Sequence, residues 1–169
     1  LDEQLTDKNG TTFKSEAKRH LSKFLDVTRS DMLFADKVIL VEGLAEKLLL
    51  PMFMEKLDYP YEDEHISIVE IGGKHFEYFV EIFNESSVKK KVLCITDKDF
   101  KWFNNESTFL LENYKDYEAP HVKKLSNRFQ IEEFNIVTQT SGGSTFEDEL
   151  FIDNFYNEEV INIIFEMAL

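Results

Sequence analysis

The sequence predicts an α/β fold: a parallel sheet of about four strands with helices on both faces, preceded by an N-terminal helical extension. Three observations predict it. Short apolar runs at Val38–Val41, Ile66–Ile71, Val92–Thr96 and Phe134–Thr138 are separated by stretches whose apolar residues recur at helical spacing. The Val38–Val41 run is continuous rather than alternating, as in the central strand of a parallel sheet covered on both faces. Two of them end in carboxylates, Glu42 and the pair Asp97 and Asp99, at the strand end where open α/β sheets place their chemistry.

The elements follow in order. Residues 1–12 are polar and carry the turn signal Asp7-Lys8-Asn9-Gly10, as in a linker. From Lys14 to Ala35 the residues Ala17, Leu21, Phe24, Leu25, Val27, Met32, Leu33 and Phe34 recur at helical spacing. Thr28-Arg29-Ser30-Asp31 is expected to break this into two helices, with Ser30 or Asp31 as a cap. The domain division is therefore 1–35 for linker and extension and 36–169 for the α/β domain.

After the first strand, Ala45 to Leu57 reads as a helix with Leu48, Leu49, Phe53 and Leu57 on one face, kinked or shortened at Pro51. Tyr59 to Glu64 is a loop. The second strand ends in Gly72-Gly73-Lys74, and Phe76 to Phe83 is helical with Phe76, Phe79, Val80 and Phe83 as its buried stripe. The polar and aromatic stretch from Phe100 to Pro120 is harder to place, with a short helix expected near Ser107–Asn113. Val122–Glu132 reads as a helix and Phe134–Thr138 as the fourth strand. Ser141-Gly142-Gly143-Ser144 reads as a flexible loop, and a helix capped by Ser144 or Thr145 starts at Thr145-Phe146-Glu147-Asp148-Glu149-Leu150. Asn157 to Leu169 reads as a last helix.

Composition narrows the function classes. A chain of 169 residues, 43% hydrophobic and 14% aromatic, builds a real core. Its net charge is −14, with 33 acidic against 19 basic residues. Such a surface repels nucleic acid on average, so a nucleic-acid role requires bound cations, a local basic patch or another domain. The single Cys94 lies in an apolar run, as a buried apolar residue in a reducing cytoplasm would. There is no signal peptide, lipidation motif or membrane-length apolar run, so a cytoplasmic protein without membrane partners is expected. The start at Leu1 and the end at Met167-Ala168-Leu169 fit a domain cut from a longer protein.

The chemistry is carried by carboxylates. Glu42 follows a strand and Glu46 lies four residues on, one helical turn along. Asp97 and Asp99 end another strand, and Glu147 opens a later helix. Oxygen-only ligands, with no His or Cys at ligand spacing, favour Mg²⁺ or Mn²⁺ over zinc. A pair of such ions is the usual arrangement for in-line phosphodiester chemistry. Each residue also has a plainer reading: a strand-end Asp or Glu is commonly a solvated or capping group. Lys74 is either a phosphate contact or a turn residue, and Lys89-Lys90-Lys91 reads first as a solvated approach to a strand and second as a phosphate contact. His20, His65, His75 and His121 read as surface or satisfied side chains. Phe100, Trp102 and Phe103 read as packing or as a stacking surface for bases. No P-loop, dinucleotide fingerprint or nucleophile elbow is present.

The order Glu42-Gly43, then Gly72-Gly73, then Asp97-Lys98-Asp99 resembles the Toprim domain of topoisomerases, primases, recombination mediators and certain nucleases. Closer still is the Toprim nuclease of the OLD (overcoming lysogenization defect) family of ATP-dependent endonucleases. That resemblance is carried by Phe24–Ser30, by Phe34–Pro51 with its extra Glu46, by Ile71–Lys74, by Ile95–Asp99 and by Thr145-Phe146-Glu147. It implies a metal-dependent DNA nuclease domain in which Glu42, Glu46, Asp97, Asp99 and Glu147 hold two cations, with Glu42, Asp97 and Asp99 at the catalytic centre. It also implies an ATPase domain elsewhere in the longer protein, through which alone ATP would act, and a role in phage defence. Separately, a dimer of the full-length protein is expected through the N-terminal helices. The family carries a basic catalytic residue, usually Lys, downstream of the Glu147 element; after Arg128 this chain has no Lys or Arg. Two other readings stand beside this one: a primase- or topoisomerase-like Toprim domain, and a non-catalytic acidic module binding cations or protein.

Overall fold

Four strands pair in the order β2-β1-β3-β4: β1 (Lys37–Val41), β2 (Ile66–Glu70), β3 (Lys91–Ile95) and β4 (Phe134–Val137). This is seen in a computed structural model that describes residues 27–83, 88–103, 113–129, 133–159 and 162. β1 pairs parallel with both neighbours, Lys37 opposite Ile66 and Lys91, and Val41 opposite Glu70 and Ile95. The Val92 N–H donates to the Glu133 carbonyl at 2.8 Å and the Thr96 N–H to the Val137 carbonyl at 3.1 Å. That constant offset makes β4 parallel too. β1 is central because its residues Val38, Ile39, Leu40 and Val41 are all buried and can tolerate cover on both faces. The chain moves from β1 outward to β2, then returns past β1 to β3. This reversal of direction puts the topological switch point at the carboxyl ends of β1 and β3.

Five helices are described: α1 (Val27–Phe34), α2 (Leu44–Lys56), α3 (Phe76–Val80), α4 (Pro120–Arg128) and α5 (Phe146–Asp153). One sheet face builds the core. Val38, Leu40, Val69, Ile71, Val92 and Cys94 pack with Met32 of α1, Phe76, Phe79 and Val80 of α3, Phe83 beyond it, and Leu125 and Phe129 at the end of α4. The stripe expected from Phe76 to Phe83 is thus buried as expected. Helix α1 runs straight through Thr28-Arg29-Ser30-Asp31, where a break was expected. Burial of Met32 outweighs the weak helix propensity of Ser30 and Asp31, and neither acts as a cap.

Helix α2 covers part of the other face, and here the expected stripe is wrong. Leu48 is 60% exposed and Leu57 79% exposed, while Leu49 and Phe53 are half-buried. The helix is apolar almost all round, so its sequence does not select the inward side. Helix α2 also continues through Pro51, at the loss of one backbone hydrogen bond to Lys47. Beside Met54 and Tyr59 the sheet leaves a cleft of about 540 Å³ lined by Ile39, Ile66, Leu93 and Asn135, with Lys37, Lys91 and Glu133 among its polar lining.

The chain divides into two compact units. One comprises Leu1–Ile95 with Leu125–Ile136, and the other Thr96–Lys124 with Val137–Leu169. The first contains nearly the whole sheet. The second contains α5 and an aromatic cluster that accounts for part of the stretch from Phe100 to Pro120. Phe100 is buried and meets Trp102, Tyr114 and Tyr117 edge-on at centroid distances of 5.1, 5.2 and 5.2 Å. Trp102 stacks flat on Tyr114 at 5.3 Å. Phe100 is therefore packing, as one of its two readings had it. The expectations for residues 1–26, for most of Ser107–Asn113 and for most of the last helix lie outside the described residues. Among the described residues no helix is long and apolar enough to cross a membrane.

Candidate functional site

In the sheet unit, β1 ends at Val41 and the chain turns through Glu42-Gly43 into α2. Gly43 is the N-cap, in extended conformation and without a side-chain cap bond. Glu46 sits in the first helical turn, where the helix dipole favours a carboxylate. Its side chain is only 5% exposed, whereas Glu42 is half-buried. A Cβ on Gly43 would stand 3.1 Å from Glu46 Oε2, so the missing side chain at 43 makes room for the carboxylate at 46. The neighbouring strand closes the turn: Ile71 N–H donates to the Val41 carbonyl at 3.0 Å and Gly73 N–H to the Glu42 carbonyl at 3.2 Å. Gly72 and Gly73 have φ of +69° and +119°, which only glycine adopts freely, so this pair is a true turn. The exposed Lys74 follows directly.

In the second unit, Asp97 and Asp99 are joined to the start of α5. Asp97 Oδ1 accepts from the Phe146 N–H at 2.9 Å, and the Asp99 N–H donates to the Ser144 carbonyl at 2.9 Å. Thr145 caps α5, accepting from the Asp148 N–H, as one of the two expected caps. Two motifs distant in sequence, Asp97-Lys98-Asp99 and Thr145-Phe146-Glu147, thus form one local structure. Glu147 is exposed and the two Asp side chains are half-buried. Asp99 has φ of +51°, a left-handed conformation that Asp tolerates better than most residues. Backbone strain of this kind recurs at functional sites.

Several partners of this motif carry no signal in the sequence. The Gln139 amide accepts from the Lys98 N–H at 2.6 Å and donates to Asp97 Oδ1 at 2.9 Å. Glu149 accepts from the N–H groups of Thr140, Ser141 and Gly143 at 2.6, 2.5 and 2.6 Å. Burial works to raise the pKa of Glu149, but these backbone donors outweigh it and hold the carboxyl below its usual range. The Tyr114 hydroxyl donates to the Gly143 carbonyl at 2.8 Å and accepts from the Gly142 N–H at 3.2 Å. The Ser141–Ser144 stretch is therefore a bonded loop rather than the flexible one its composition suggests. Fixed spacing cannot reveal such contacts, because most of the partners are backbone groups, which do not depend on residue type.

The basic residues and histidines are largely engaged. Lys98 is buried, with its Nζ 4.0 Å above the Tyr114 ring centre. Lys89 pairs with Glu133 at 2.8 Å, Lys90 donates to the carbonyls of Leu33 and Ala35, and Lys37 pairs with Glu64. His121 is a satisfied residue as expected, with Nε2 3.1 Å from Thr96 Oγ1 and Nδ1 3.8 Å from Asp99 Oδ2.

The five candidate ligands divide between the units, Glu42 and Glu46 in one, Asp97, Asp99 and Glu147 in the other. Among the described residues no three His, Cys, Asp or Glu side chains are drawn together as a metal cage. The donor chemistry nevertheless suits hard divalent cations: every candidate offers carboxylate oxygen, and a Cβ at 43 would crowd Glu46 Oε2 at 3.1 Å.

Residues 33–99 match the family described as overcoming lysogenization defect protein-like, TOPRIM domain. The chain is similar to Endonuclease GajA of Bacillus cereus (strain VD045), 31% identical over 86 residues. That match covers 51% of this chain and only 14% of the relative. Among solved structures, the C-terminal region of the Burkholderia pseudomallei OLD protein is 23% identical, with a TM-score of 0.46, covering 69% of this chain and 58% of that one. The C-terminal region of the Xanthomonas campestris pv. campestris OLD protein is 19% identical, with a TM-score of 0.44, covering 65% of this chain and 53% of that one.

Proposed function

We propose, from the match of residues 33–99 to the OLD-like Toprim family model, that this chain is the nuclease part of an OLD-family protein and cuts or nicks DNA with divalent cations. The observation that carries the reading is the span of the family match, residues 33–99, within which Glu42, Glu46, Asp97 and Asp99 lie. The relative whose printed name is an endonuclease supports the same reaction class.

The proposed ligands of two Mg²⁺ or Mn²⁺ ions are Glu42, Glu46, Asp97, Asp99 and Glu147, by the resemblance of their sequence motifs to the family's. When bound, such ions activate water, neutralise charge on the phosphate and stabilise the leaving oxygen. The chain's own residues supply position. Gly43 leaves room for the Glu46 carboxylate, and the Phe146 N–H holds one oxygen of Asp97. Lys74, on the turn bonded to the Glu42 carbonyl segment, is the proposed contact to a DNA phosphate. The cations also answer the charge of −14, which by itself disfavours DNA. We further propose that the chain works as part of a longer dimeric protein of the cytoplasm with an ATPase domain, acting in phage defence.

The test is nicking of supercoiled plasmid with Mn²⁺ or Mg²⁺ by the longer protein. Activity falling at least about a hundredfold in Glu42→Ala and in Asp97→Ala is the expected result, the scale seen when a catalytic stabilising group is removed. Plasmid left intact under every cation condition overturns the nuclease reading. Primer synthesis would instead favour a primase-like domain, and cation binding without any reaction would favour the non-catalytic module.

A further inference from the structure

We propose that Gln139 is a positioning residue for the Asp97 carboxylate, and through it for the metal that Asp97 would bind. The inference rests on the metal-dependent reading above.

The orientation of the Gln139 amide follows from its partners. The Lys98 backbone N–H can only donate, so the Gln139 atom 2.6 Å away is the carbonyl Oε1. That leaves the NH₂ group facing Asp97, where it donates to Oδ1 at 2.9 Å. The same Oδ1 accepts from the Phe146 N–H at 2.9 Å. Two donors on one oxygen set the rotation of the carboxylate about its Cβ–Cγ bond. Gln139 is only 8% exposed, so neither of its bonds is readily exchanged for water.

The glutamine is in turn held in place. It follows β4 by two residues, and the Val137 carbonyl accepts from the Thr96 N–H at 3.1 Å on the segment that leads to Asp97. On its other side the backbone N–H groups of Thr140 and Ser141 are held by Glu149. One side chain therefore spans the backbone of Lys98 and the side chain of Asp97 from an anchored segment. A ligating carboxylate whose outer partner is lost typically loses ten- to a hundredfold in metal affinity. The glutamine amide offers an acceptor and a donor at this reach without charge: Glu would face Asp97 with a second acceptor, and Leu would leave the Lys98 N–H without this partner.

The experiment is a Mg²⁺ titration of the whole chain followed in ¹H–¹⁵N spectra, with Mn²⁺ affinity and melting temperature measured for wild type, Gln139→Leu and Gln139→Glu. The expected result is that the Gln139 side-chain amide resonance moves with the midpoint of metal binding. Mn²⁺ affinity should fall about ten- to a hundredfold in whichever variants keep a cooperative melt. If neither variant folds, the wild-type titration alone decides. Metal binding with an unmoved Gln139 amide, or unchanged affinity in a folded variant, overturns this assignment alone. No Mg²⁺ binding by wild type overturns both it and the metal reading beneath it.

Discussion

Gly43 shows how one position serves both the backbone turn and the site. It is in extended conformation, which any residue adopts, so alanine there brings no backbone strain. What alanine brings is a Cβ 3.1 Å from Glu46 Oε2, closer than side chains ordinarily approach. Gly43→Ala is expected to fold with an unchanged melting temperature while Mn²⁺ affinity, followed by calorimetric titration, drops about tenfold. Unchanged affinity would remove Glu46 from the ligand set. Cys94 is the opposite case: burial pushes its thiol well up and leaves it as an inert core residue, as its apolar neighbours in sequence suggest.

At the scale of elements, the loop from Thr140 to Ser144 and helix α5 act as one piece because Glu149 reaches back across them. The folded-state pKa of Glu149 is depressed from the ordinary 4.5 of a glutamate, so its carboxylate stabilises the fold at pH above that value. This contribution is lost as pH falls through the lower, folded-state pKa. Urea unfolding of wild type and Glu149→Gln should therefore differ at neutral pH, with wild type the more stable, and the gap should shrink as pH falls below 4.5. A gap independent of pH would mean that the charge of Glu149 contributes nothing. The same element explains why sequence alone misread the loop: Ser-Gly-Gly-Ser composition signals freedom, but the constraint arises from a carboxylate several residues away. The inward side of helix α2 escapes the sequence pattern for a related reason. Its apolar residues surround the axis, and only the sheet it packs on decides which of them are covered.

For the molecule as a whole, the aromatic-rich face of the sheet unit supplies a hydrophobic core cluster. Phe76 is fully buried among Phe79, Val80 and the strands, so Phe76→Ala should cost about 3–5 kcal/mol, measured as a lower denaturation midpoint with the transition still cooperative. A cost under about 1 kcal/mol would show that the site collapses around the loss. The sequence by itself determined the individual strands, the strand ends that bear Glu42 and the Asp97–Asp99 pair, the glycine turn at 72–73 and a cap at Ser144 or Thr145, because each depends on residues close together in the chain. Only the tertiary structure decided which side of α2 is covered, that α1 runs through Ser30 and Asp31, and that Gln139 and Glu149 grip the segments around Asp97 and Ser144. These depend on hydrogen bonds and packing between segments far apart in sequence, and local periodicity carries no record of them.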